Sequence, residues 1–144
     1  MKKSTLTVII LMLIILGLAI YFVINSRISS NLASEENRYY QQLLDREITG
    51  TELSSVINKV IDSNRKNELS LDENNLYIEN DENSIVLEII FKYSDSLRMI
   101  RGEKIFNGEI TNFISHYGNI KFKCKKIDYH ESTKKVKKIY IEEI

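Results

Sequence analysis

The first thirty positions divide sharply by polarity. From Ser4 to Ser26 there is no charged residue, and Val8 to Ile24 is apolar apart from Gly17 and the amphipathic Tyr21. A helix of about 20 residues, rising about 1.5 Å per residue, crosses a hydrocarbon layer about 30 Å thick. The run therefore predicts one transmembrane helix, with Tyr21, Asn25 and Ser26 at one interface. It is longer than the apolar stretch of a cleaved secretory signal, and no small-x-small triplet follows it, so an uncleaved anchor is expected. Lys2 and Lys3 precede it, whereas Glu35 and Glu36 follow soon after Arg27. That asymmetry places the N-terminus in the cytoplasm and residues 27–144 outside.

Past the anchor the pattern becomes periodic. Ile28, Leu32, Tyr39 and Leu43 fall near one helical face, flanked by Tyr40 and Leu44, and no Gly or Pro interrupts 27–47. The segment reads as a helical stalk or linker. Thr49-Gly50-Thr51-Glu52 matches a capping box, in which the Thr49 hydroxyl and the Glu52 carboxylate each take a backbone N–H. Leu53, Val56, Ile57, Val60 and Ile61 follow at helical spacing and predict an amphipathic helix over 50–64.

Leu76-Tyr77-Ile78 reads as a short strand, and Asn80-Asp81-Glu82-Asn83 as a turn. Ser84 to Lys92 is rich in β-branched residues. Ile85, Leu87, Ile89 and Phe91 share one face, and Val86 and Ile90 make the other partly apolar, as in a strand flanked on both sides. Residues 93–101 fit neither period. Phe106, Ile110, Phe113, Ile114 and Tyr117 predict a second amphipathic helix closed by a left-handed Gly118. Ile120, Phe122 and Cys124 then alternate with Lys121, Lys123 and Lys125 as a half-buried strand. His130 to Thr133 makes a hairpin loop, and Lys134 to Ile141 returns as the last strand.

The expected fold is α+β: a transmembrane helix extending into a stalk, then a small, mainly antiparallel sheet with two amphipathic helices on one face. The expected division is 1–26 for the cytoplasmic N-terminus and anchor, 27–47 for the stalk, and 48–144 for an extracytoplasmic domain. With 43% hydrophobic and 28% charged residues, the chain has the composition of an ordered protein, with one modest core. Cys124 is the only cysteine, so that core must hold without an intrachain disulfide.

Formal net charge is zero, which removes any global attraction to nucleic acid, but the charge is unevenly spread. Lys121, Lys123, Lys125, Lys126, Lys134, Lys135, Lys137 and Lys138 outweigh Asp128 and Glu131, giving +6 over 121–138. Residues 27–120 carry 10 basic and 16 acidic groups. The eight lysines are the candidate contact for an anionic partner, against the plainer role of lysine in keeping strand edges soluble. A basic end of one copy meeting the acidic part of another would also serve self-assembly.

Candidate chemistry is sparse. His116 and His130 stand 14 positions apart in no metal-ligand spacing. Cys124 lies on the apolar face of its strand and reads as a core thiol. The oxygen-rich Asp72-Glu73-Asn74-Asn75 lacks the glycine and glutamate of a calcium loop, with Tyr77 and Asn83 in those places. No nucleophile elbow or phosphate-binding glycine loop occurs. A non-catalytic protein is expected, with no cofactor and no small-molecule substrate.

The order of anchor, stalk and sheet resembles that of pilin-like surface-appendage proteins. Ile48-Thr49-Gly50-Thr51-Glu52-Leu53 followed by Ile57 is similar to a segment of membrane-anchored pilin-like proteins from clostridial tight-adherence loci. Cys124 to Thr133 (CKKIDYHEST) resembles small clostridial membrane proteins, and the many Ile, Lys and Asn residues resemble AT-rich Gram-positive usage. Type IV pilins carry a Gly before the hydrophobic run and a Glu within it. Here Lys3-Ser4 precede the run and no Glu interrupts it. The resemblance implies a structural or assembly subunit of a surface apparatus, held in the cell membrane and partnered by itself or by other subunits. The alternative expectation is a binding or sensing module that uses the lysine hairpin.

Overall fold

The structure is a computed structural model that describes residues 3–93 and 96–144, with side chains for 7–27, 34–92 and 96–144. Lys2 and the side chains of Lys3, Ile28 and Leu32 lie outside the described residues.

Helix α1 runs unbroken from Lys3 to Gln41. Within it, Thr7–Arg27 is long and apolar enough to cross a membrane, and none of that run is buried against the rest of the chain. Such a bare apolar surface is stable only in an apolar surrounding. The far end of α1 behaves differently. Tyr40, in its last turn, and Leu43, just past its terminus, are buried in the core of the domain. Tyr39 is half-buried beside them, with the Lys59 ammonium 4.3 Å from the centre of its ring.

After α1 come β1 (Glu47–Thr49), α2 (Gly50–Lys66), β2 (Val86–Tyr93), β3 (Ser96–Arg101), α3 (Gly102–Asn107), α4 (Ile110–Tyr117), β4 (Lys121–Tyr129) and β5 (Val136–Glu143). The five strands form one sheet in the order β1-β4-β5-β2-β3. Every neighbouring pair is antiparallel except β2 and β5, which run parallel at the centre. A mainly antiparallel sheet with helices packed on it is thus the observed architecture.

The capping box forms as expected. The Glu52 amide donates to the Thr49 hydroxyl at 3.2 Å, and the Thr49 amide donates to the Glu52 carboxylate at 2.9 Å. Helix α2 buries Leu53, Val56, Ile57, Val60 and Ile61 against the sheet. On the facing strands, Leu87, Ile89 and Phe91 meet Phe122, Cys124, Ile127, Ile139 and Ile141. Fully burying one such side chain contributes about 1.5–3 kcal/mol, so this layer is the main source of stability. Gly50 makes the tight start of α2 possible, because a Cβ there would lie 1.9 Å from the Tyr117 carbonyl oxygen.

Three local expectations are corrected. Among the described residues, Leu76-Tyr77-Ile78 joins no strand of the sheet and pairs only through an isolated bridge between Leu71 and Tyr77. Both flanks of β2 are taken, by β5 and β3, and the segment is held instead through its backbone, the Tyr77 carbonyl accepting from Arg101 at 3.1 Å. The ambiguous stretch supplies β3 instead. The second amphipathic helix is two helices: Gly108 caps α3, and Glu109 takes a left-handed conformation at φ 66°. The break turns Phe113 and Tyr117 onto Phe91, with ring centroids 6.4 and 5.0 Å away. Gly118 is right-handed, at φ −53° and ψ −36°. Glycine is required there by close approach, since a Cβ would meet the Ile114 carbonyl oxygen at 2.5 Å.

Candidate functional site

The lysine-rich strands β4 and β5 lie side by side, and their register sorts the side chains by face. Cys124 opposes Ile141 and Ile127 opposes Ile139 on the buried face. Lys123 opposes Glu142, Lys126 opposes Tyr140 and Asp128 opposes Lys138, so these point to the face that carries no helix. An irregularity between Cys124 and Lys126 lets Lys125 and Lys126 follow one another without turning Ile127 outward.

Most of the eight lysines meet carboxylates. Lys121 lies 3.1 Å from Glu47, Lys125 3.5 Å from Glu142, and Lys126 2.9 Å from Asp128. Lys137 lies 3.8 Å from Asp81, and Lys138 3.2 Å from Glu88. Lys123, Lys134 and Lys135 have no ion-pair partner among the described residues. Three of the carboxylates, Glu47, Asp81 and Glu88, come from the acidic first part of the chain. The fold therefore brings three carboxylates of the acidic part against three lysines of the basic part, and the charge separation along the sequence is partly offset in space. Exposed pairs of this kind contribute only about 0–1 kcal/mol each. Their effect is to neutralise the ribbon rather than to fasten it. Hydrogen bonding to Asp128 pushes the Lys126 ammonium above its ordinary pKa.

The loop between β4 and β5 does have a structural partner. Asn37 of α1 donates from Nδ2 to the Lys134 carbonyl at 2.7 Å and accepts from the Val136 amide at 3.0 Å. The Gln41 amide reaches the Tyr129 hydroxyl at 3.1 Å, and the Ser63 hydroxyl donates to Glu36 at 2.7 Å. With Tyr40 and Leu43 buried alongside, the end of α1 sits in a socket made by α2 and the start of β5. The apolar stripe over 39–43 was the sequence signal for this seat. Asn37 carried none, because its role depends on a loop 97 positions away.

The other candidates resolve into structural roles. Cys124 is buried, and burial pushes its thiol up to about 11. His130 stands six residues further along an extended chain, roughly 20 Å away, so the two form no nucleophile pair. The His130 ring is buried, with Nε2 2.8 Å from the Ser84 carbonyl oxygen, and it ties the hairpin loop to the start of β2. His116 is exposed, its Nδ1 2.8 Å from the Asn112 carbonyl. Asp72 accepts the amides of Asn74 and Leu76, both at 2.8 Å, and these bonds hold its carboxyl below the usual range. The oxygen-rich loop is thus organised by its own backbone. Among the described residues no group of three or more His, Cys, Asp or Glu side chains could hold a metal ion.

A surface that sequence reasoning left unassigned lies at the opposite edge of the sheet. There β3 is flanked by a groove of about 450 Å³ lined by Leu76, Ile100, Ile105, Arg98 and Lys104, among others. It continues over Phe113 and Tyr117 as a second hollow of about 240 Å³. The signal that could have found it is the alternation in Ser96-Leu97-Arg98-Met99-Ile100-Arg101, masked by arginines that interrupt its apolar face.

Comparison with known protein-family models, curated proteins and solved structures gives no match to this chain.

Proposed function

We propose that this chain is a non-catalytic structural or assembly subunit of a cell-surface apparatus, anchored by a single membrane span with its domain outside. The observation that carries the reading is the two-ended helix α1. Its first part is bare and apolar, and its last turns are socketed into the folded domain by Asn37 and Tyr40, with Leu43 buried just beyond them. A domain tethered only for confinement needs no such seat, since a flexible linker serves as well. A continuous helix locked at one end holds the domain at a set height and orientation, which is what repeated subunits require to meet in register. The flanking charges, Lys2 and Lys3 against Glu35 and Glu36, support a cytoplasmic N-terminus. The pairing of five lysines within the domain favours this role over capture of an anionic ligand by the hairpin.

Crosslinking in native membranes tests the reading. Cysteine pairs placed on exposed positions of the domain, in a Cys124→Ala background, are expected to trap ladders of self-contacts or a discrete adduct with one partner. A monomer that crosslinks to nothing overturns it.

A further inference from the structure

The two edges of the sheet are unequal. β1 offers three residues, whereas β3 offers six, with Leu97 69% and Met99 55% exposed. Edge strands in soluble proteins are normally short, covered, or studded with lysine or proline, because their outward N–H and C=O groups template the pairing of another strand. Among the described residues, no strand pairs with the outer side of β3.

Register then specifies what would fit. Leu97 opposes Lys92 and Met99 opposes Ile90, on the face without helices. Arg98 opposes Phe91 and Ile100 opposes Ile89, on the helix face, where the groove lies. A strand added outside β3 therefore has apolar neighbours, Leu97 and Met99, on one side. On the other it meets Arg98, Ile100 and the ammonium of Lys104. Arg101 is already held by Glu103 at 2.6 Å and Glu79 at 3.8 Å. Arg98 and Lys104 have no carboxylate partner among the described residues.

We propose that the β3 edge and its groove form a docking site for an extended segment of a partner protein in which apolar and acidic residues alternate. Backbone pairing to β3 supplies the attachment. Apolar side chains of the segment cover Leu97 and Met99, and its carboxylates meet Arg98 and Lys104. The site is separate from the helix seat and from the lysine hairpin, and it stands whether or not the subunits crosslink to one another.

The test uses the full chain in phospholipid nanodiscs. The probes are capped peptides about six residues long, matching β3 in length, one alternating Val with Glu and one alternating Val with Lys. The Val/Glu peptide is expected to slow amide exchange at residues 96–101 and leave β1 unchanged, while the Val/Lys peptide slows exchange at neither strand. Exchanging both cations, Arg98→Glu with Lys104→Glu, is expected to weaken the Val/Glu peptide roughly tenfold and to confer binding of the Val/Lys peptide. That swap of preference cannot arise from misfolding. No protection at 96–101, affinity indifferent to the charge exchange, or a footprint on the lysine hairpin overturns the proposal. Protection that is present without peptide and grows with chain concentration assigns the edge to a second copy and likewise overturns it.

Discussion

The hydroxyl of Tyr40 has no hydrogen-bond partner among the described residues, although the residue is fully buried. Burial and the nearby Glu36 carboxylate both push its phenol well above the ordinary tyrosine pKa. An unpaired buried hydroxyl costs about 1–3 kcal/mol of desolvation, while the ring around it contributes apolar burial. Tyr40→Phe removes the first and keeps the second. The variant is expected to be as stable as the parent at neutral pH, or more stable by about 1 kcal/mol, in urea denaturation. A loss of stability would show that the hydroxyl is satisfied. The sign with pH follows from the same cause. A phenol whose pKa is raised by folding leaves stability intact below 10.0, its unfolded value, and lowers it as pH climbs above that. The Phe variant is expected to lack that part of the alkaline loss.

At the scale of elements, the start of α2 is the most fully specified feature. Glu52 accepts from Arg46 at 2.6 Å and from the Thr49 amide, and these bonds, Arg46 first, hold its carboxyl below the usual range. A carboxylate with a lowered folded pKa contributes stability above its unfolded value of 4.5, and loses it as pH falls through the folded value. Thr49→Ala is expected to cost about 1 kcal/mol at neutral pH. Glu52→Gln is expected to lower stability at pH 7 while flattening its decline below pH 4.5, read from denaturant midpoints across the acid range. A Gln variant with an unchanged acid profile would remove Glu52 from the cap. The capping box was legible because its partners are three residues apart. The break at Gly108 was not, because an aromatic cluster of Phe91, Phe113, Tyr117 and Phe122 from three elements rewards reorienting α4.

At the scale of the whole molecule, the domain does not begin after the stalk. Tyr40 and Leu43 belong to its core, and Asn37 holds the β4–β5 loop. A chain starting at residue 34 is expected to fold cooperatively in solution. One starting at residue 46 loses Tyr40 and Leu43 together and is expected to be less stable by at least about 4 kcal/mol, given the usual cost of deleting large buried side chains. Equal denaturation midpoints for the two would show that the seat is not part of the fold. The same seat links the apolar run to the sheet through one continuous helix.

The apolar run, the capping box, the helical stripe of α2 and the alternation in β2 and β4 are written within a few turns or pleats, so the sequence alone determined them. It also determined the α+β class, because elements with one apolar face must stack on one another. Only the tertiary structure decided which segments joined the sheet. Leu76-Tyr77-Ile78 has strand character but bridges only to Leu71, whereas Ser96–Arg101 has weaker character and takes the place beside β2. The parallel pairing of β2 with β5, the seating of α1 and the matching of lysines to distant carboxylates depend likewise on contacts between residues far apart in the chain. Those contacts arise when the core closes, and no local pattern encodes them.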